Sequence, residues 1–274
     1  MTDFAQLKSN AQTDQLDPQT CEFYLRSLAR LDDAQIPYLL GGAYSLAHFA
    51  GIVRHTKDLD VFVRPPDCDR VLELFRLAGY RAEVTFPHWL AKVFHADAFI
   101  DVIYASGNGL CVVDDEWFAH AVDGEALGRP VKLCPVEEII WTKSFVQERE
   151  RFDGADIAHL LLHQARSLDW VRFMRRFSGG HEPVLLAQLL MFQYIYPSER
   201  QNVPDSVIEE LTQKSRMVAA AQNGAKLCRG TLLSRSQYLT DIGKDGFADA
   251  RVKPHGTMNP EHVTYWTWAI DRIR

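Results

Sequence analysis

Asp58 and Asp60 are two carboxylates inside one short apolar run, Asp58-Leu59-Asp60-Val61-Phe62-Val63. Leu59, Val61 and Val63 alternate with Asp58, Asp60 and Phe62, a pattern that predicts a strand. Period two puts both carboxylates on one face, with Cα atoms about 6.5 Å apart from a rise of about 3.3 Å per residue. Acids at the mouth of an apolar strand are costly to desolvate unless they are paired or metal-bound. This spacing lets both reach one divalent cation, or a pair of them. Mg²⁺ selects such hard oxygen ligands and keeps positions open for phosphate oxygens.

The residues just before them suit phosphates. Tyr38-Leu39-Leu40 stops at Gly41-Gly42, and Tyr44 to Ala50 reads as a helical segment. Glycines let backbone N–H groups approach phosphate oxygens, and the start of a helix favours anions. The plainer reading of the same pair is a tight strand-to-helix turn. A basic turn, Arg54-His55-Thr56-Lys57, then leads into Asp58 and makes Arg54 or Lys57 a phosphate candidate. A third carboxylate, Asp101, lies in Ala98–Tyr104 with apolar residues on both sides. Burying it unpaired would be costly. A cation shared with Asp58 and Asp60 would relieve it, as would an arginine; Asp97, in the preceding turn, competes for the same part.

Taken together, Gly41-Gly42, the helical spacer and Arg54-x-Thr56-x-Asp58-Leu59-Asp60 resemble the signature of the DNA polymerase β-like nucleotidyltransferases. The spelling is most similar to the minimal bacterial branches, the aminoglycoside and lincosamide nucleotidyltransferases and the AbiEii-type toxin transferases. The resemblance covers about a tenth of the chain. It implies Mg²⁺ or Mn²⁺ held by Asp58, Asp60 and Asp101, the last from a later strand beside the first two. It implies an NTP whose phosphates meet Gly41, Gly42 and Ser45. It also implies NMP transfer to an acceptor, with pyrophosphate released and Asp101 doubling as general base.

Around these residues the pattern is α/β (α+β), a short mixed sheet followed by helices. A helix is expected from Pro18 to about Gln35, another from about Asp67 to Ala78, a strand over Tyr80–Val84, and a hairpin of Leu90–His95 with Ala98–Tyr104. Ser106–Gly109 reads as a flexible loop and Arg129–Cys134 as a final edge strand. From Pro135 the texture turns helical, which divides the chain into 1–133, a nucleotidyltransferase-like core, and 134–274, a helical domain and tail expected to close over the cleft. The first of these helices should run to about Glu150 and the last over about Pro260–Arg274. Lys143 is a lone cation on an apolar helix face, and Asp153 and Asp156 follow about a turn apart. The resemblance assigns Lys143 to the triphosphate and Asp153 or Asp156 to the acceptor side; a salt bridge between them is the plainer reading. Arg172, Arg175 and Arg176 read as a solvated basic face.

Composition sets limits. Of 274 residues, 47% are hydrophobic and 24% charged, as in soluble globular chains. The polar N-terminus shows no secretory signal and no run is long enough for a membrane span, which predicts a cytoplasmic protein. Five scattered cysteines without CxxC spacing read as reduced thiols. The first 133 residues hold 12 basic and 19 acidic side chains, the remainder 18 and 17. A chain that grips duplex DNA shows a basic excess. A small molecule, a tRNA end or a protein therefore suits this one better as acceptor, and a toxin–antitoxin setting is one context for such a transferase. The competing reading is a catalytically silent nucleotide-binding or partner-binding protein with the same fold; three retained carboxylates argue against it.

Overall fold

The computed structural model describes residues 16–54, 56, 58–221 and 226–269. The chain divides into two compact units, Met1–Pro135 and Val136–Arg274.

In the first unit, helix α1 (Pro18–Asp33) begins where the Asp17 carboxylate accepts from the N–H groups of Gln19 and Thr20, with Pro18 in the first turn. There follow β1 (Leu39–Leu40), α2 (Gly42–Ala50), β2 (Asp58–Phe62), α3 (Cys68–Leu77), β3 (Arg81–Phe86), β4 (Leu90–His95) and β5 (Ala98–Ile103). The short helix α4 (Asp115–Ala119) and the hairpin of β6 (Val122–Ala126) and β7 (Arg129–Leu133) complete it. Seven strands form one sheet in the order β3-β4-β5-β2-β1-β7-β6. β2 pairs parallel with β5 and β1 parallel with β7, while the other pairs are antiparallel. The fold is thus α/β with a mixed sheet, as the sequence predicts.

Strand alternation decides what each face carries. Leu59, Val61, Val93, Ile100 and Val102 turn to one side and pack with Phe23 and Leu28 of α1 and Val71 and Phe75 of α3. Each such burial stabilises by about 1.5–3 kcal/mol. The opposite face therefore carries Asp58, Asp60 and Phe62 from β2 and Phe99, Asp101 and Ile103 from β5.

Two local expectations are corrected. Arg129–Leu133 is an interior strand, because Val122–Ala126 lies outside it as the edge. The sequence Val-Asp-Gly-Glu-Ala has poor strand propensity; its pairing with all five residues of β7 holds it extended. The Ser106–Gly109 segment is a cross-linked turn. Ser106 donates to Asn108 Oδ1 at 2.6 Å, the Leu110 N–H donates to the same oxygen at 3.1 Å, and the Cys111 N–H donates to Ser106 Oγ at 2.9 Å.

The second unit holds α5 (Val136–Ser144), α6 (Gly154–Gln164), α7 (Trp170–Arg176), α8 (Glu182–Ile195) and α9 (Asp205–Ala221). Its tail contains β8 (Leu227–Cys228), α10 (Leu239–Gly243), β9 (Ala248–Asp249) and α11 (Pro260–Trp268), with β8 and β9 paired parallel. Helix α5 stops at Ser144 rather than near Glu150, where the chain bends to bridge Gln147 with Phe152. The basic face is not all solvated. Arg172 is buried and ion-paired to Glu137 at 2.6 Å and to Glu138, and Arg176 reaches Glu138 at 2.9 Å, tying α7 to α5. Residues 270–274 of the expected last helix, Ile270 included, lie outside the described residues. Among the described residues, no helix is long and apolar enough to cross a membrane.

Candidate active site

Parallel pairing of β2 with β5 sets Asp60 opposite Asp101 and Asp58 opposite Phe99. The three half-buried carboxylates Asp58, Asp60 and Asp101 each offer an oxygen within 4.8 Å of the others. Two unit charges at that separation repel by about 3.5 kcal/mol at an effective dielectric constant of about 20. The cluster therefore needs positive charge. Part of it comes from Lys92 on β4, whose Nζ donates to Asp101 Oδ1 at 2.6 Å and lies 3.9 Å from the centroid of the Phe99 ring. The Thr56 hydroxyl donates to Asp58 Oδ1 and lies 3.0 Å from the Asp58 carbonyl. Burial still raises the Asp101 pKa; Lys92 opposes the shift and the charge on Asp58 adds to it.

Two tyrosines border the carboxylates. Tyr24 donates its hydroxyl to the Phe99 carbonyl at 3.3 Å. The Tyr44 hydroxyl is buried without a hydrogen-bond partner. Burial first, then neighbouring negative charge that includes Asp58 and Asp60, raises the pKa of both phenols.

The glycine pair shapes the other wall. A Cβ on Gly41 would meet the Phe62 ring at 2.3 Å, and one on Gly42 would meet Asp60 Oδ2 at 1.8 Å. Gly42 also has φ +54°, in the left-handed region that glycine tolerates best. Phe62 is backed in turn by Trp117, stacked at 5.4 Å. The missing side chains thus let the strand-to-helix turn lie directly against the carboxylate. Two of the groups expected at the phosphates have partners inside the fold. The Gly41 N–H donates to the Asp60 carbonyl at 3.1 Å, so it is committed to the sheet. Ser45 is fully buried, and its hydroxyl donates to the Leu40 carbonyl at 2.8 Å, tying α2 to β1. Lys57 and His55 lie outside the described residues; Arg54 is exposed.

In the second unit Lys143 bridges both candidate acids, with Nζ 2.8 Å from Asp153 Oδ2 and 2.9 Å from Asp156 Oδ2. Arg151 adds a second contact to Asp153 at 3.1 Å. The plainer reading thus holds for both aspartates at once. Burial works to raise the Asp153 pKa, but Lys143 and Arg151 together outweigh it and the carboxyl is lowered.

No protein-family model matches the chain, and neither does any curated protein. Among solved structures, the solution structure of the antibiotic-resistance factor ANT(2'')-Ia is similar at 17% identity, with 75% of this chain and 96% of that chain covered and a TM-score of 0.40. The lincomycin-bound lincosamide antibiotic adenylyltransferase LnuA is similar at 16% identity over 53% of this chain and 96% of that one, with a TM-score of 0.37. An antigenic nucleotidyltransferase-like protein from Paracoccidioides brasiliensis gives 14% identity, 68% and 93% coverage and a TM-score of 0.40. At values this low, the site is read from the chain's own residues.

Those residues fit a hard divalent cation. The donors are carboxylate oxygens, without the thiolate or imidazole that softer metals favour, and their mutual repulsion falls when such an ion binds. Two neighbours were not singled out in the sequence, Lys92 and Tyr44; Thr56 stood there as part of the motif, without a role of its own. For Lys92 a signal existed. A two-residue turn at Ala96-Asp97 pairs His95 with Ala98, and counting back along both strands sets Lys92 opposite Asp101.

Proposed function

We propose that this chain is a metal-dependent nucleotidyltransferase, moving an NMP group from an NTP to an acceptor hydroxyl or other nucleophile and releasing pyrophosphate. The observation that carries the reading is the convergence of Asp58, Asp60 and Asp101 beside the glycine turn. These three carboxylates hold Mg²⁺ or Mn²⁺, which when bound supplies Lewis-acid stabilisation of charge on the phosphoryl and leaving oxygens. Asp58 and Asp60 serve as ligands fixed by their strand. Asp101 also accepts the proton of the attacking hydroxyl as the new O–P bond forms and the bond to pyrophosphate breaks. The Gly41-Gly42 turn brings backbone against Asp60 with no side chain between, and Gly42 is its candidate for contact with the phosphates.

The acceptor class is a small molecule, a tRNA end or a protein, in keeping with the lack of a strong basic excess in either half of the chain. Incubation with each α-labelled NTP and Mg²⁺, alone and with cell-derived small molecules, RNA or protein, tests the reading. Label transfer with release of pyrophosphate, lost on chelation, is the expected result. Nucleotide binding without turnover against every acceptor class would overturn it in favour of a silent binding protein.

A further inference from the structure

We propose that Lys92 is a resident counter-cation of the carboxylate cluster, holding Asp101 while no divalent ion is bound and competing with such an ion for the same oxygen. This rests on the reading of Asp58, Asp60 and Asp101 as cation ligands.

Sheet register places Glu83, Lys92, Asp101 and Asp60 side by side across β3, β4, β5 and β2. One base thus stands between an edge acid and the carboxylate cluster. Glu83 is half exposed and lies 3.7 Å from Arg81, whereas the Lys92 and Asp101 side chains are only 21% and 14% exposed and sit 2.6 Å apart. The lysine is therefore committed inward. The Phe99 ring beneath the ammonium group favours a cation at that place, and Phe99 is also the register partner of Asp58.

From this placement two effects of opposite sign follow. Without a divalent ion, Lys92 offsets repulsion among the acids and supports the fold. With an ion approaching the same carboxylates, the ammonium charge repels it and occupies one of its oxygens. Linkage requires that the two effects be reciprocal. Lys92 thereby keeps the ion exchangeable and the sheet intact between loadings.

The test compares the full chain with Lys92→Met, Lys92→Gln and Lys92→Arg. Mn²⁺ affinity is read by electron paramagnetic resonance without nucleotide, and unfolding temperature is measured in EDTA and in saturating Mn²⁺. The two neutral variants are expected to bind Mn²⁺ about fivefold or more tightly, within the usual range for coupled sites. They should unfold earlier than wild type in EDTA, with the deficit shrinking in Mn²⁺, and Lys92→Arg should stay near wild type. If wild type binds Mn²⁺ and Asp60→Asn abolishes that binding, yet the neutral variants bind no more tightly, Lys92 is an ordinary interstrand ion pair and the proposal fails alone. If wild type binds no Mn²⁺, the cation reading of the cluster fails with it. Should neither neutral variant fold even in Mn²⁺, the proposal also fails, because the ion ought to replace the lost charge.

Discussion

A methyl group on Gly42 would lie 1.8 Å from Oδ2 of Asp60. Gly42→Ala must both adopt φ +54° and push Asp60 aside. The backbone part alone costs about 1–2 kcal/mol. Gly79 is the matched control, with φ +86° and nothing within 4 Å of its would-be Cβ. Both alanine variants should lose stability in thermal unfolding, Gly42→Ala the more, and only Gly42→Ala should weaken Mn²⁺ binding.

Asp60 is held from two sides: Gly41 donates to its carbonyl and Gly42 lies against its carboxylate. Asp60→Asn keeps the volume and removes one negative charge. NMP transfer should fall by more than about 100-fold, beyond the 10–100-fold usual for losing an outer-shell partner of a metal ligand. In EDTA the variant should melt at or above the wild-type temperature, because the remaining acids repel less. Radiolabel transfer and circular dichroism on one preparation check both halves. Transfer at the wild-type rate would remove Asp60 from the ligand set.

How far the sequence could be read follows from which residues decide their own surroundings. Asp58 and Asp60 were legible because period two is local, and Asp101 because a lone acid in an apolar strand demands a partner. The edge strand Val122–Ala126 was not, since only its pairing with Arg129–Leu133 keeps Asp123, Gly124 and Glu125 extended. Ser45 illustrates the same limit. Its hydroxyl looks available in the sequence, while burial and the Leu40 carbonyl claim it in the fold. Arg172 looked solvated because its partners, Glu137 and Glu138, lie more than thirty positions earlier.

Register at the site depends on the turn between β4 and β5. Ala96 there has φ +49°, a left-handed conformation that strains an alanine. Ala96→Gly should stabilise by up to about 1 kcal/mol by relieving that strain, less the added freedom of glycine in the unfolded chain. The Lys92–Asp101 pairing should be untouched. Chemical denaturation reads the stability, and an unchanged Mn²⁺ affinity shows that register is kept.

In the second unit, Asp153 carries a pH dependence of known sign. Its folded pKa lies below the ordinary 3.8, since Lys143 and Arg151 outweigh the effect of burial. The stabilisation is therefore fully present above the unfolded value and is lost as pH falls through the folded one. Asp153→Asn should flatten the loss of stability below about pH 4, measured as unfolding temperature against pH. Lys143→Met, which leaves Asp153 and Asp156 facing each other inside the unit, should cost about 3–5 kcal/mol at neutral pH. Adding Asp153→Asn to it should recover part of that loss.

Gly41 offers a test of packing behind the carboxylates. Its φ of −122° lies outside the left-handed region that favours glycine. The obstacle is the Phe62 ring, 2.3 Å from where a Cβ would stand and itself stacked on Trp117. Gly41→Ala should therefore destabilise by about 1–3 kcal/mol, the usual range for overpacking. Phe62→Leu should destabilise as well, by leaving space against Trp117. The double variant should be more stable than the sum of the two losses, because the added methyl partly fills the space the ring vacates. Denaturant unfolding of all four chains gives the coupling energy. Strict additivity would mean that the turn moves as a body, and that Phe62 does not set how closely Gly41 approaches the strand.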